Sequence, residues 1–209
     1  MSNYLAIATV TATLRNLISQ TVQNLPGMQS AVEVLTGRPE ARDNRFVGVN
    51  ICLYQTTPNA YLRNQDLATR NPAGDFVQVP VVPVNLHYLI TFYGKEQHQE
   101  AQRLLGATMA ALHANPVLTP QQIQQTIFAE SWLSDSDLHL QLPHVKLVPV
   151  ALTLEELSKL WTVFFQTSHA LSVAYEASPV LISPHLRAPV PQLVTPPKRP
   201  VPPQPQRAP

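Results

Sequence analysis

Histidine, cysteine and paired carboxylate side chains are where this chain would keep any catalytic or metal chemistry, and they are thinly spread. The seven histidines are His87, His98, His113, His139, His144, His169 and His185. His98 and Glu100 come nearest to a ligand pair, but two apart at a helix start they point to different faces. The single cysteine, Cys52, precludes an intrachain disulfide and a cysteine metal cluster, and within an apolar strand pattern it reads as a buried thiol. Glu155 and Glu156 could be an acid/base pair, yet just after Thr153 they are explained more simply by helix capping and the helix dipole. No GxSxG, P-loop, dinucleotide-binding glycine pattern or HExxH is present. The sequence therefore predicts no enzyme, no cofactor and no metal, and assigns no residue to any of these roles.

The elements follow from periodicity. Ile7, Val10, Leu14, Leu17, Ile18 and Val22 recur at helical spacing, predicting a helix over Asn3–Asn24 capped by Ser2 or Asn3 and ended by Pro26 and Gly27. Ala31–Leu35 reads as a short strand, and Gly37–Asn44 as a polar connection. Phe46–Tyr54 is a strand with Val47, Val49, Ile51 and Leu53 on one face, where Gly48 permits close approach of a neighbouring backbone. Val84–Tyr93 is another, with Val84, Leu86, Tyr88, Ile90 and Phe92 on one face and Gly94 closing it.

Glu96–Ala114 predicts a helix with the stripe Ala101, Leu104, Leu105, Thr108 and Leu112, stopped by Asn115 and Pro116. Thr119 caps a shorter helix with Pro120 at its first position. Leu138–Val150, broken at Pro143, reads as an edge strand or a pair of strands. Thr153 and Glu156 form a capping box for a helix reaching Phe165, whose stripe Leu154, Leu157, Leu160, Trp161 and Phe164 should be buried. Leu171–Ile182 alternates as a half-buried strand. Strands and helices that do not alternate strictly predict an α+β fold, a mixed or antiparallel sheet packed by helices.

Two stretches break the pattern. Gln55–Pro83 is long and proline-bearing, and long irregular segments in compact domains are commonly functional. Within it TTPNAYLRN places a turn at Pro58 and Asn59, followed by Tyr61 and Leu62 outside any periodic element. Two fates are open to these side chains: a plug on the domain's own core, or contact with another subunit. On the second reading Tyr54, Pro58, Asn59, Tyr61, Leu62, Arg63 and Asn64 are the candidate interface with another subunit.

The other is the stretch after Ile182, which holds ten prolines, no acidic residue and a charge of +4 from Arg187, Lys198, Arg199 and Arg207. Too few apolar residues remain there for a core, so an extended, polyproline-like tail is expected. The predicted division is thus a domain over 1–182 and an extended Pro-rich basic tail over 183–209, with Val190, Leu193, Val194, Lys198, Arg199 and Val201 as candidate anchors. The net charge of only +1 makes no case for nucleic acid, which calls for clustered Lys and Arg. Charged residues make up 13%, low against the usual quarter, which suits a surface covered by partners. No secretory signal or membrane-spanning run is read, so synthesis and assembly in the cytoplasm, without membrane insertion, are expected.

Several separated runs carry a resemblance. LEELSKLWTVFFQTSHALSVAYEASPVLI (154–182), LYQTTPNAYLRNQDLATR (53–70), LHYLITFYG (86–94) and EAQRLLG (100–106) together resemble the cap, or tube and sheath terminator, proteins of phage-tail-like contractile injection systems. The resemblance covers about Tyr4 to Ile182. It implies a mixed sheet packed by helices, as in phage tail terminators, and a structural assembly protein. Such a cap is a homohexameric ring on the distal end of the inner tube and sheath, ending their polymerisation, so the implied partners are further copies of the chain, an inner tube protein and a sheath protein. The alternative is an adaptor recognised through proline-rich runs such as Pro197–Pro200.

Overall fold

A computed structural model describes residues 2–23, 25–26, 28, 31–40, 46–64, 81–164 and 167–183. Among the described residues five strands form one sheet: β1 (Glu33–Thr36), β2 (Gly48–Pro58), β3 (Val82–Tyr93), β4 (Lys146–Val150) and β5 (Ser172–Ile182), in the order β1-β2-β3-β5-β4. β1 and β2 are parallel and every other pairing is antiparallel, so the sheet is mixed and the fold is α+β. The described α-helices are α1 (Ala6–Val22), α2 (Glu100–Ala114), α3 (Pro120–Ala129), which packs on α1, and α4 (Leu154–Val163).

The alternation of β3 explains how two faces are covered. Val84, Leu86, Tyr88, Ile90 and Phe92 face the larger core, where Val10, Leu14 and Ile18 of α1 and Leu104 and Leu112 of α2 pack on them. Leu89 points the other way and joins Cys52, Trp161 and Phe164 in a second, smaller cluster under α4. Thus α1 and α4, both expected on the sheet, lie on opposite faces of it. Cys52 is buried, and burial raises its thiol pKa.

Several boundaries differ from the sequence reading. α1 begins at Ala6 because Asn3 accepts the Leu5 N–H and starts the chain as a turn, and it ends at Val22 before Pro26; Gly27 lies outside the described residues. β1 sits two residues later than Ala31. β2 continues four residues past Tyr54, since Thr56, Thr57 and Pro58 pair with β3 beyond a bulge at Tyr54. Tyr54 and Pro58 are therefore strand residues and not part of an irregular loop.

The segment expected as one helix from Glu96 is a 3₁₀ turn (Glu96–His98), then Gln99 at φ 52°, then α2. The break arises because the buried Glu100 carboxylate folds back to accept the Lys95 N–H at 2.9 Å, over a Gly94 whose added Cβ would lie 2.5 Å from Glu100 Cβ. Leu138–Leu140 is a 3₁₀ turn rather than strand, and only Lys146–Val150 joins the sheet.

The predicted capping box at Thr153 with Glu156 forms, and Thr119 caps α3 as expected, in a capping box with Gln122 that the sequence reading did not name, but the α4 stripe is only partly buried. Trp161 and Phe164 are inside, whereas Leu154 in the first turn is 83% exposed. Phe165 lies outside the described residues. Gly48 has the role its sequence suggested: a Cβ there would come 2.5 Å from the Glu33 carbonyl oxygen of β1 and 2.7 Å from the Phe46 ring.

Candidate docking surface at the Asn59 turn

Where β2 leaves the sheet, one buried residue organises the chain. Asn59 is 7% exposed, and its polar groups are engaged on all sides. Its N–H donates to Pro83 O at 2.9 Å, and its Nδ2 donates to Asn85 Oδ1 at 2.8 Å, which ties the turn to β3. Its Oδ1 accepts the N–H groups of Tyr61 and Leu62 at 3.1 and 3.0 Å, and its carbonyl accepts Arg63 N–H at 3.1 Å. This is an asparagine capping a single turn of chain, a use for which its short amide is suited.

The turn holds Tyr61 out. Tyr61 is 91% exposed, Arg63 and Asn64 are exposed and Leu62 is half-buried. The Tyr61 ring gains little from its own domain, while its backbone is fixed by Asn59. The plug reading therefore fails for Tyr61. Residues 65–80 of the same segment lie outside the described residues.

Tyr54 and Pro58 belong to the neighbouring stretch of β2. Tyr54 is half-buried and packs beside the α4 cluster, with its ring 6.1 Å from that of His87. With Gln55 it lines a groove of about 490 Å³ whose other wall is Leu152, Glu156, Lys159, Leu160 and Val163. Burial raises the Tyr54 phenol pKa, and the carboxylates of Glu156 and Glu176 raise it further. Glu156 itself is held below the ordinary carboxylate range by hydrogen bonds from the Thr153 backbone and hydroxyl. The seven candidates thus divide into a strand portion, Tyr54 and Pro58, and a locked turn, Asn59 with Tyr61 to Asn64.

The proposed tail anchors Val190, Leu193, Val194, Lys198, Arg199 and Val201 lie outside the described residues. Chain leaves the sheet at Ser183, whose N–H donates to Ser2 O at 2.7 Å. Gln141 fixes this exit: its Oε1 accepts Leu181 N–H at 2.8 Å and its Nε2 donates to the Pro143 and Pro179 carbonyls. Nothing in the sequence marks Gln141 as a buried polar anchor.

A second exposed apolar set, Phe128, Trp132, Leu140 and Leu142, was also not singled out. Phe128, 87% exposed, stands off the Ile123 and Thr126 face of α3, a signal the helical period does carry.

Among the described residues no group of three or more His, Cys, Asp or Glu side chains could hold a metal ion, and no helix is long and apolar enough to cross a membrane.

Comparison with known proteins matches residues 9–196 to the family of the Pvc16 N-terminal domain. Among solved structures, the sheath/tube terminator of the extracellular contractile injection system PVC, in its extended state, is similar at TM-score 0.57 and 17% identity. That match covers 93% of this chain and 64% of the other. The tube-terminating cap of the anti-feeding prophage is similar at TM-score 0.51 and 18% identity, over 90% of this chain and 59% of the other. The chain therefore spans under two thirds of the length of these two structures, and at such identities the likeness is one of fold. A search of curated proteins finds no match.

Proposed function

The chain belongs to the Pvc16 N-terminal domain family, and from that premise we propose that it is a structural cap of a contractile injection system. It forms a homohexameric ring on the distal end of the inner tube and sheath and stops both from growing. Its partners are further copies of itself, the inner tube protein and the sheath protein. It is not an enzyme, does not bind nucleic acid and does not insert into a membrane; it is made and assembled in the cytoplasm.

A tube of stacked rings grows through a heterologous contact that does not close, so growth has no intrinsic end. A terminator must mate with the last ring through one face and offer no acceptor on the other. The observation that carries the reading is the Asn59 turn, because it fixes Tyr61 in solvent at 91% exposure beside Arg63. Aromatic and Arg side chains are the usual energetic centres of interfaces.

The turn is the tube-facing surface, and the domain over 1–182 carries it. The Pro-rich basic segment over 183–209 runs extended across a neighbouring subunit or sheath protein, with Val190, Leu193, Val194 and Val201 as apolar anchors and Lys198 and Arg199 on acidic groups. A proline-set backbone lowers the ordering entropy of such an arm.

The test is the double variant Tyr61→Ala with Arg63→Ala. A folded protein that no longer caps, leaving tubes of uncontrolled length in electron micrographs, is expected. An unchanged, narrow length distribution with normal caps removes this turn as the tube-facing surface.

A further inference from the structure

The two edges of the sheet are not alike. At β4, Leu118 N–H donates to Val145 O at 2.9 Å and Leu147 N–H to Pro116 O at 2.8 Å, so the start of that edge is already covered. The next outward-facing amide falls at Pro149, which has none, so β4 cannot be extended. At β1, Glu33 N–H donates to Val47 O and Gly37 N–H to Ile51 O. By alternation the N–H and C=O groups of Val34 and Thr36 point away from β2. Among the described residues nothing pairs with them.

We propose that this edge accepts residues 192–195 of the Pro-rich segment of a second copy as an added antiparallel strand. The inference deepens the ring reading above and rests on it. Two stretches of that segment have four consecutive residues without proline, His185–Ala188 and Gln192–Thr195. Only the second carries the β-branched residues Val194 and Thr195, and its length, bounded by Pro191 and Pro196, equals that of β1. Full register sets Thr36 opposite Gln192 and Val34 opposite Val194, which satisfies all four outward groups of β1.

The antiparallel form sets both outward groups of Val34 opposite Val194 alone and both of Thr36 opposite Gln192 alone, inside the proline-free stretch, and it carries Lys198 and Arg199 past the exposed Glu33.

Reach chooses the source. Ile182 is level with Val82, and Thr36 is level with Ile90 across β2. That is about 26 Å along the strands and about 19 Å across four strand spacings, or about 32 Å in a straight line through the sheet. The ten steps from Ile182 to Gln192, with prolines at 184, 189 and 191, span about 31 Å. The real path must also detour over a helix-covered face. Even fully extended, at about 33–36 Å, the segment would need an almost straight path through that covered face to reach its own edge, whereas a neighbour's edge sets no such limit, so the strand is assigned to the neighbour. Each copy then gives a strand and receives one, a head-to-tail contact of the kind that closes a ring.

The test mixes full-length Thr36→Cys protein with full-length Gln192→Cys protein under mild oxidation. Opposed residues in such a pair have Cα atoms about 5.5 Å apart, within disulfide range. A cross-link between the two chains is expected, absent from wild type, whose lone Cys52 is buried. Val194→Pro in the Gln192→Cys chain removes one donated amide and should lower the yield about tenfold. No cross-link in the mixture, a cross-link confined to single doubly substituted chains, or a yield indifferent to Val194→Pro would each overturn the proposal. Rings that form without the cross-link would remove the strand exchange and leave the ring; cross-linked chains that never close into rings would do the reverse.

Discussion

Asn59→Ala is the perturbation that asks most of the locked turn. It removes two amide-to-Oδ1 bonds, from Tyr61 and Leu62, and the Nδ2 bond to Asn85. At a net 0.5–1.5 kcal/mol each these sum to about 1.5–4.5 kcal/mol; the Tyr61 and Leu62 amides can rehydrate, so about 2–3 kcal/mol is expected. For a domain of this size that lowers Tm by about 4–12 °C. Asn59→Asp keeps the acceptor for both amides, and Asn85 can turn its amide to donate to the carboxylate, so most of the loss should be restored. Thermal unfolding of the three proteins, followed by circular dichroism, should rank them wild type, Asn59→Asp, Asn59→Ala. A wild-type Tm for Asn59→Ala, or an Asn59→Asp no better than Asn59→Ala, would refute the capping account of how Tyr61 is presented.

Tyr61→Ala, by contrast, should leave Tm unchanged, because the ring is almost wholly in solvent; a fall of several degrees would mean that it packs on its own domain. Trp161→Ala should cost about 3 kcal/mol, the low end for a buried Trp, because its indole N–H has no partner in the cluster under α4; an unchanged Tm in a thermal melt would contradict that cluster. Gly48→Ala forces a methyl against the Glu33 carbonyl and should destabilise by about 1–3 kcal/mol in urea titration, with no effect if β1 does not lie alongside.

In acid, Glu130 and Glu156 act in the same sense. Glu130 is held below its ordinary pKa by hydrogen bonds from Arg15 and then Trp132, and Glu156 by those from Thr153. A carboxylate whose folded pKa is depressed contributes stability above its unfolded pKa of 4.5 and loses it as pH falls through the folded value. The urea midpoint should therefore drop as pH falls below about 4.5. Glu156→Gln should flatten part of that fall while keeping the capping box, as Gln122 does at α3, and an identical pH profile would deny Glu156 its part.

The strands were legible where alternation ran over one buried face, as in β3, whose five inward residues all reach the core. The capping box at Thr153 and the cap at Thr119 were legible because each is local in sequence. Legibility failed where tertiary contacts decided. β2 runs on through the polar residues Gln55 to Thr57 because β3 supplies the pairing, which no periodicity in those residues announces. The α2 start breaks at Gln99 because Glu100 turns back to Lys95, a contact invisible in a stripe of apolar positions. Leu154 fits the α4 stripe yet lies in solvent, since only the later turns of that helix reach the sheet.

For the candidate site, the residue types and the turn were readable, but whether Tyr61 turns inward or outward was open, because no periodicity fixes its direction. The role of Asn59 was not readable, because its partners Pro83 and Asn85 come from a strand more than twenty residues on. The open edge of β1 was equally hidden, since which strand lies outermost is a property of the assembled sheet.

The central claim, that this chain ends tube and sheath growth, is tested most directly by assembling particles with the chain omitted and measuring their lengths by electron microscopy. The account predicts tubes of broad, unlimited length lacking density at one end, restored to a narrow distribution by adding back the wild-type protein. A narrow distribution and a normal terminal ring in particles assembled without the chain would contradict it.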